Sequence, residues 1–236
     1  MKITNSAEYQ KFGESITSER ISQFREEGAG DLADYLETKK ARSQVHRRIE
    51  AVTGLKFEVA NDVDPHIAAF VETANDNNYV TEAVLDNPTL ALHAAKHEAE
   101  HRSNKIFTLP LDQLTPDETT ILCDQFSIAK LDETEIIEGF NEWSTFRKHG
   151  ANDNSGYANK EVPLAEKIEK LIQEKLSISL LEIFRSGDKQ KFVITLKQFA
   201  THLQLMETLT DTIKTLPDSL SANDNLMPLK ELALAS

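Results

Sequence analysis

The sequence predicts an α+β chain, predominantly helical, with a small sheet next to the helix that carries an HExxH motif. Three observations lead there. Long stretches repeat apolar residues at helical spacing between recognisable cap residues. Residues 56–84 instead hold short runs rich in strand-favouring residues, separated by Asn/Asp turn chemistry. The 236 residues, 39% of them hydrophobic, suffice for one large domain or one domain with a small appendage.

Taken in order, residues 5–27 read as a helix with Ser6 as a cap and Gly28 and Gly30 punctuating its end. A second helix runs from Asp31 to about Val52, with Gly54 at the expected C′ position. Together they form a helical N-terminal region over 1–55. The remainder up to residue 215 reads as one catalytic-type domain, and 216–236 as a flexible tail. Strand-like runs follow at Lys56–Val59, Ile67–Val71 and Tyr79–Val84. Asn87-Pro88 supplies an N-cap with proline at the first helical position, so a helix is expected from Pro88 to about Asn104. Further helices are expected at Asp132–Arg147, Val162–Phe184 and, after the turn Ser186-Gly-Asp188, over 189–215. The recurring Ala-Asn-Asp-Asn at 74, 151 and 222 marks three loops.

Charge and cysteine narrow the function classes. Lys and Arg total 26 against 39 Asp and Glu, a net charge of −13 that disfavours general nucleic-acid or anionic-membrane binding. Residues 1–55 carry nine charges of each sign, so the whole excess lies downstream. The lone Cys123 excludes an internal disulfide and any multi-cysteine zinc site. The N-terminus has no apolar signal core, and no run reaches the roughly 18 apolar residues of a membrane span. The expectation is a chain cytoplasmic at synthesis, with export by a route needing no cleaved signal left open. The modestly apolar 226–236 would suit packing on the domain or a secretion address equally.

The chemistry concentrates in His97-Glu98-Ala99-Glu100-His101, which fits H-E-x-x-H. Residues four apart on a helix project from one face, and two neutral imidazoles there can share a tetrahedral Zn²⁺. Glu98 lies about 100° round the helix, where its carboxylate can serve as general base without ligating the ion. Glu100 and Arg102 are charged where metallopeptidase helices usually are not, which predicts a more exposed helix. A third ligand must come from elsewhere. Cys123 is one candidate; Glu135, Glu138 and Glu142 share a face of the Asp132–Arg147 helix and are better ones. Glu138 is preferred, because Gly139 beside it would let that helix approach the motif helix closely.

On these residues the chain resembles the HExxH-plus-glutamate, or gluzincin-like, zinc metallopeptidases. The similarity runs over roughly 56–200. It takes in the strand Tyr79–Val84, the Asp86-Asn-Pro88 turn, the motif helix, the segment Ile137-Glu-Gly-Phe-Asn-Glu-Trp143, Gly156-Tyr157, and the long helix from Val162 through Gly187-Asp188. The resemblance implies a zincin-like domain, with His97, His101 and Glu138 holding Zn²⁺ and Glu98 as base.

Other residues are weighed against simpler roles. His93 lies one turn before His97 and reads as exposed, or else as a partner of a ligand. Glu142 or Glu135 would be able to accept the second N–H of a ligating histidine, but each reads first as a solvated helix residue. Tyr157, ahead of His149, is the expected donor to a tetrahedral oxyanion. Trp143 reads as core, and Lys39, Lys40, Arg42, Arg47 and Arg48 as a solvated helix face. The expected activity is endopeptidase-like hydrolysis of a protein or peptide substrate laid along a sheet edge. The competing class is a non-catalytic helical interaction protein with HEAEH on its surface; a structural zinc protein is a third reading.

Overall fold

The computed structural model describes residues 1–64, 66–72, 77–150 and 155–214. The expected flexible tail at 216–236 therefore lies outside the described residues. The fold is α+β and predominantly helical. It divides into two units, residues 1–105 with 141–159, and 106–140 with 160–236.

The first unit opens with β1 (Lys2–Thr4), α1 (Ser6–Ser15), α2 (Ser18–Glu26) and α3 (Gly30–Thr53). The single helix expected over 5–27 is in fact two. Ile16 is extended and buried, and Thr17 caps α2, its hydroxyl accepting the Arg20 N–H at 3.2 Å. No Gly or Pro marks the break. It arises because Ile16, Ile21 and Ala33 bury together, a packing that a straight helix cannot give. Asn5 caps α1, where Ser6 was expected. Ser6 is buried and donates to Glu50 at 2.6 Å. Gly13 lets α1 cross α3 closely, since a Cβ there would stand 2.1 Å from Ser43 Oγ. Gly54 ends α3 in the left-handed region at φ 70°, as its position predicts.

A four-stranded mixed sheet follows, from β1, β2 (Phe57–Asn61), β3 (Ala69–Glu72) and β4 (Asn77–Thr81), in the order β1-β2-β4-β3. β2 and β4 are parallel, with Val59 opposite Val80; both outer strands pair antiparallel. The strand expected to reach Val84 stops at Thr81, and Ala83–Asp86 form a 3₁₀ turn. Val59, Val80, Leu85 and Ala95 share a core with Tyr9 and Ile49, so the helical region over 1–55 lies inside this unit. The basic face of α3 is only partly solvated: Lys39 pairs with Glu82, and Arg42 grips both oxygens of Asp86 at 2.7 and 2.5 Å. α4 (Pro88–Asn104) packs on α3 and on the β3 side of the sheet.

The second unit contains α5 (Pro116–Phe126), α7 (Glu161–Leu176), α8 (Leu180–Arg185) and α9 (Lys189–Lys214). Sequence reading omits α5, although Thr115 and Glu118 form a reciprocal capping box over Pro116. The helix expected over 162–184 breaks at Ser177, which adopts φ 56° and lets α8 fold back beside α7. Phe140, Phe184 and Phe192 make edge-on and tilted ring contacts at its centre. α6 (Glu133–His149) gives its N-terminal half to this unit and the remainder to the first. Among the described residues no helix is long and apolar enough to cross a membrane.

Candidate metal centre

α4 starts where the sequence dictates: the Asn87 carboxamide accepts the Leu90 N–H at 3.1 Å, and Pro88 occupies the first turn. Its buried face mixes Ala91, Ala94 and Ala95 with His97, Glu100, His101 and Asn104. Small alanines let neighbouring elements come close, but the buried polar groups then require partners.

The C-terminal half of α6 supplies them, one turn after another. Asn141 is fully buried; its amide donates to the His97 carbonyl at 2.8 Å and accepts from Asn104 at 3.0 Å. Glu142, also fully buried, takes His93 Nε2 at 2.6 Å on one oxygen and His97 Nδ1 at 2.7 Å on the other. Glu100 receives the Ser144 hydroxyl at 3.1 Å and Lys148 Nζ at 2.7 and 2.8 Å. The solvated reading of Glu142 is thus overturned in favour of its role as acceptor of a histidine N–H. Likewise Glu100 is buried and paired, so the exposed motif helix expected from its charge is corrected. His93 is largely buried as well, not exposed.

Electrostatics fix which imidazole nitrogens donate to Glu142. Burial alone would raise the Glu142 carboxyl, but hydrogen bonds from His93 and His97, with the field of His97 and a bond from Ser155, pull it down to about 2. An ionised carboxylate only accepts, so His93 donates from Nε2 and His97 from Nδ1. The opposite nitrogen of His97, Nε2, faces His101 Nε2 3.1 Å away. Two nitrogen ligands on a tetrahedral zinc, each at about 2.0–2.1 Å, stand about 3.3 Å apart. The imidazole pair matches that spacing closely.

Glu138, half-buried, stands one turn before Glu142 on α6. One of its oxygens and one nitrogen each from His97 and His101 lie within 4.8 Å of one another. Two imidazoles and a carboxylate form a donor set suited to zinc with a coordination position left open. Among the described residues this is the group of three potential ligands that closes to such distances. Glu135 is not in it; it pairs with Lys160 in the second unit. Nor is Cys123, whose thiol on α5 is pushed upward, chiefly by burial. Gly139 does not serve the motif helix as expected. A Cβ there would meet the Glu161 carbonyl oxygen at 2.3 Å, so its missing side chain admits the start of α7.

Glu98 is half-buried beside His97 on α4. Tyr157 is half-buried and lies nearly parallel on His97, ring centroids 5.1 Å apart and planes 13° apart. Trp143 is buried, as a core residue should be, and His149 is exposed. The residues sequence reading undervalued are Glu142 and His93. Their signal was a matched spacing, His93-x₃-His97 on one helix and Glu138-x₃-Glu142 on the other, which shows only once the helices are placed together.

Compared with protein-family models, curated proteins and solved structures, the chain gives no match.

Proposed function

We propose that this chain is a zinc-dependent peptidase of the zincin type, hydrolysing peptide bonds with His97, His101 and Glu138 as metal ligands and Glu98 as general base. The observation that carries the reading is the pair of facing Nε2 atoms 3.1 Å apart, with a Glu138 oxygen gathered to within 4.8 Å. A histidine pair meant only to pack has no need of a third, carboxylate donor.

Bound zinc would supply Lewis acidity, lowering the pKa of water and polarising a carbonyl. The chain's own groups do the rest. Glu98 takes the proton from the attacking water and delivers it to the leaving amine. Glu142 holds His97 by Nδ1, which fixes the ring plane and makes the opposite nitrogen a better donor to a metal. Tyr157, whose ring stacks on the same imidazole, would donate its hydroxyl to the oxyanion. The substrate is a protein or peptide segment added along β3, an outer strand of the sheet, which packs against α4.

Metal stoichiometry of wild type and Glu138→Ala tests the proposal. Wild type should carry about one zinc per chain, and the variant should lose it. A wild type without zinc refutes the peptidase and favours the reading in which the buried His93–Glu142–His97 bonds simply hold α4 to α6. A zinc-loaded wild type that cleaves no peptide library member leaves a structural metal site.

A further inference from the structure

Glu142 has two carboxylate oxygens, and the metal reading uses only the one that takes His97 Nδ1. The other takes His93 Nε2 at 2.6 Å. His93 and His97 stand four residues apart on α4, so one carboxylate from α6 bridges two imidazoles set one turn above each other. His93, His97 and Glu142 all belong to the first unit. His93 lies outside the group of three potential ligands.

The bridge is braced at its far end. Glu142 is fully buried, and the His93 side chain is only 11% exposed. The His93 ring packs on Phe146, four residues after Glu142, with centroids 5.7 Å apart and planes 52° apart. The helix that supplies the carboxylate therefore also backs the ring that holds it. A carboxylate bonded to one histidine can pivot about its last carbon–carbon bond. One bonded to two rings on separate oxygens cannot pivot without losing a charge-assisted hydrogen bond. The Ser155 hydroxyl also bonds to Glu142, but a hydroxyl turns to follow its acceptor and fixes no plane. Without His93 its oxygen would be a buried acceptor short of a donor, and the carboxylate would gain by turning away from His97.

We propose that His93 is a positioning residue of the metal centre, locking Glu142 so that the carboxylate orients the His97 ring. This rests on the reading of His97 as a zinc ligand. His93 acts on Glu142, Glu142 on His97 Nδ1, and the ring so held presents Nε2, the nitrogen that faces His101 Nε2 at 3.1 Å.

The test compares His93→Gln, His93→Asn and His93→Phe with wild type, each as the full chain. Glutamine carries its amide N–H as many bonds from Cα as imidazole Nε2 does, so it can still donate to Glu142. Asparagine falls one bond short, and phenylalanine keeps a ring against Phe146 but has no donor. Competition with a zinc chelator should leave His93→Gln within about threefold of wild type and weaken the other two about tenfold, the low end of what losing an outer partner of a metal-bound histidine costs. In the metal-free, ¹⁵N-labelled protein, an exchange-protected His97 Nδ1–H signal should persist in wild type and His93→Gln and fade in the other two. Asparagine and phenylalanine disturb the packing in different ways, so either variant that folds supplies the comparison. Wild-type zinc affinity in His93→Phe overturns the proposal, because no donor would then be needed. So does His93→Gln binding zinc as weakly as His93→Phe, because restoring the N–H would then restore nothing. A wild type that takes up no zinc refutes the metal reading itself, and this proposal with it.

Discussion

Glu142 offers the sharpest test, because one side chain is assigned both a structural and a metal-tuning task. Its carboxylate is fully buried and accepts from His93 at 2.6 Å and from His97 at 2.7 Å. Glu142→Gln keeps the shape but turns an amide NH₂ toward one imidazole N–H, setting donor against donor. Removing one partner from a buried, charge-assisted arrangement costs about 3–5 kcal/mol. Losing a carboxylate that orients a metal-bound histidine typically weakens metal binding about 10–100-fold. Two measurements follow. Urea unfolding of metal-free protein should show the first unit destabilised by a few kcal/mol. Competition with a zinc chelator should show the dissociation constant raised by one to two orders of magnitude. Zinc affinity within twofold of wild type, alongside a clear loss of stability, would refute the orienting role and leave Glu142 as a packing device.

The remaining predictions are simpler. Glu98→Gln should keep the zinc while lowering peptide hydrolysis by about 10²–10⁴-fold, the usual share of a general base; retained turnover in a fluorogenic peptide assay rejects Glu98. Glu135→Ala should bind zinc like wild type, since Glu135 pairs with Lys160 outside the ligand group; metal loss there would move the third ligand by one turn. Gly139→Ala places a Cβ 2.3 Å from the Glu161 carbonyl oxygen, so it should lower stability by about 1–3 kcal/mol in chemical denaturation. Glu50 gives a pH test. Burial would raise its carboxyl, but Lys56, Ser6 and the Phe57 N–H together hold it below the usual range. A depressed folded pKa means its contribution is complete above the unfolded carboxylate value and fades as pH falls toward the folded one. Glu50→Gln should therefore flatten the acid limb of the stability curve; an unchanged limb would disprove the assignment.

Much of the architecture is local in origin and was legible for that reason. Asn87 and Pro88 start α4, Gly54 ends α3, and both depend only on nearby backbone geometry. The HExxH spacing puts two imidazoles on one face of any helix, whatever surrounds it. The breaks at Ile16 and Ser177 were not legible, since neither carries glycine or proline and each is set by what the flanking residues bury against. β1 was missed because three residues make a strand only when β2 offers a partner.

The sequence by itself determined the helical character, the zone of strands, the motif helix and a short set of acids on one face of a second helix. Only the tertiary structure gave those acids different surroundings. Glu135, Glu138 and Glu142 share a helix face and are equivalent by periodicity, yet one pairs with Lys160, one joins the imidazoles, and one is buried between His93 and His97. The reason is that a carboxylate's role follows from its immediate neighbours, and these come from elsewhere in the chain: Lys160 lies 25 residues from Glu135, and His93 and His97 lie 49 and 45 residues from Glu142.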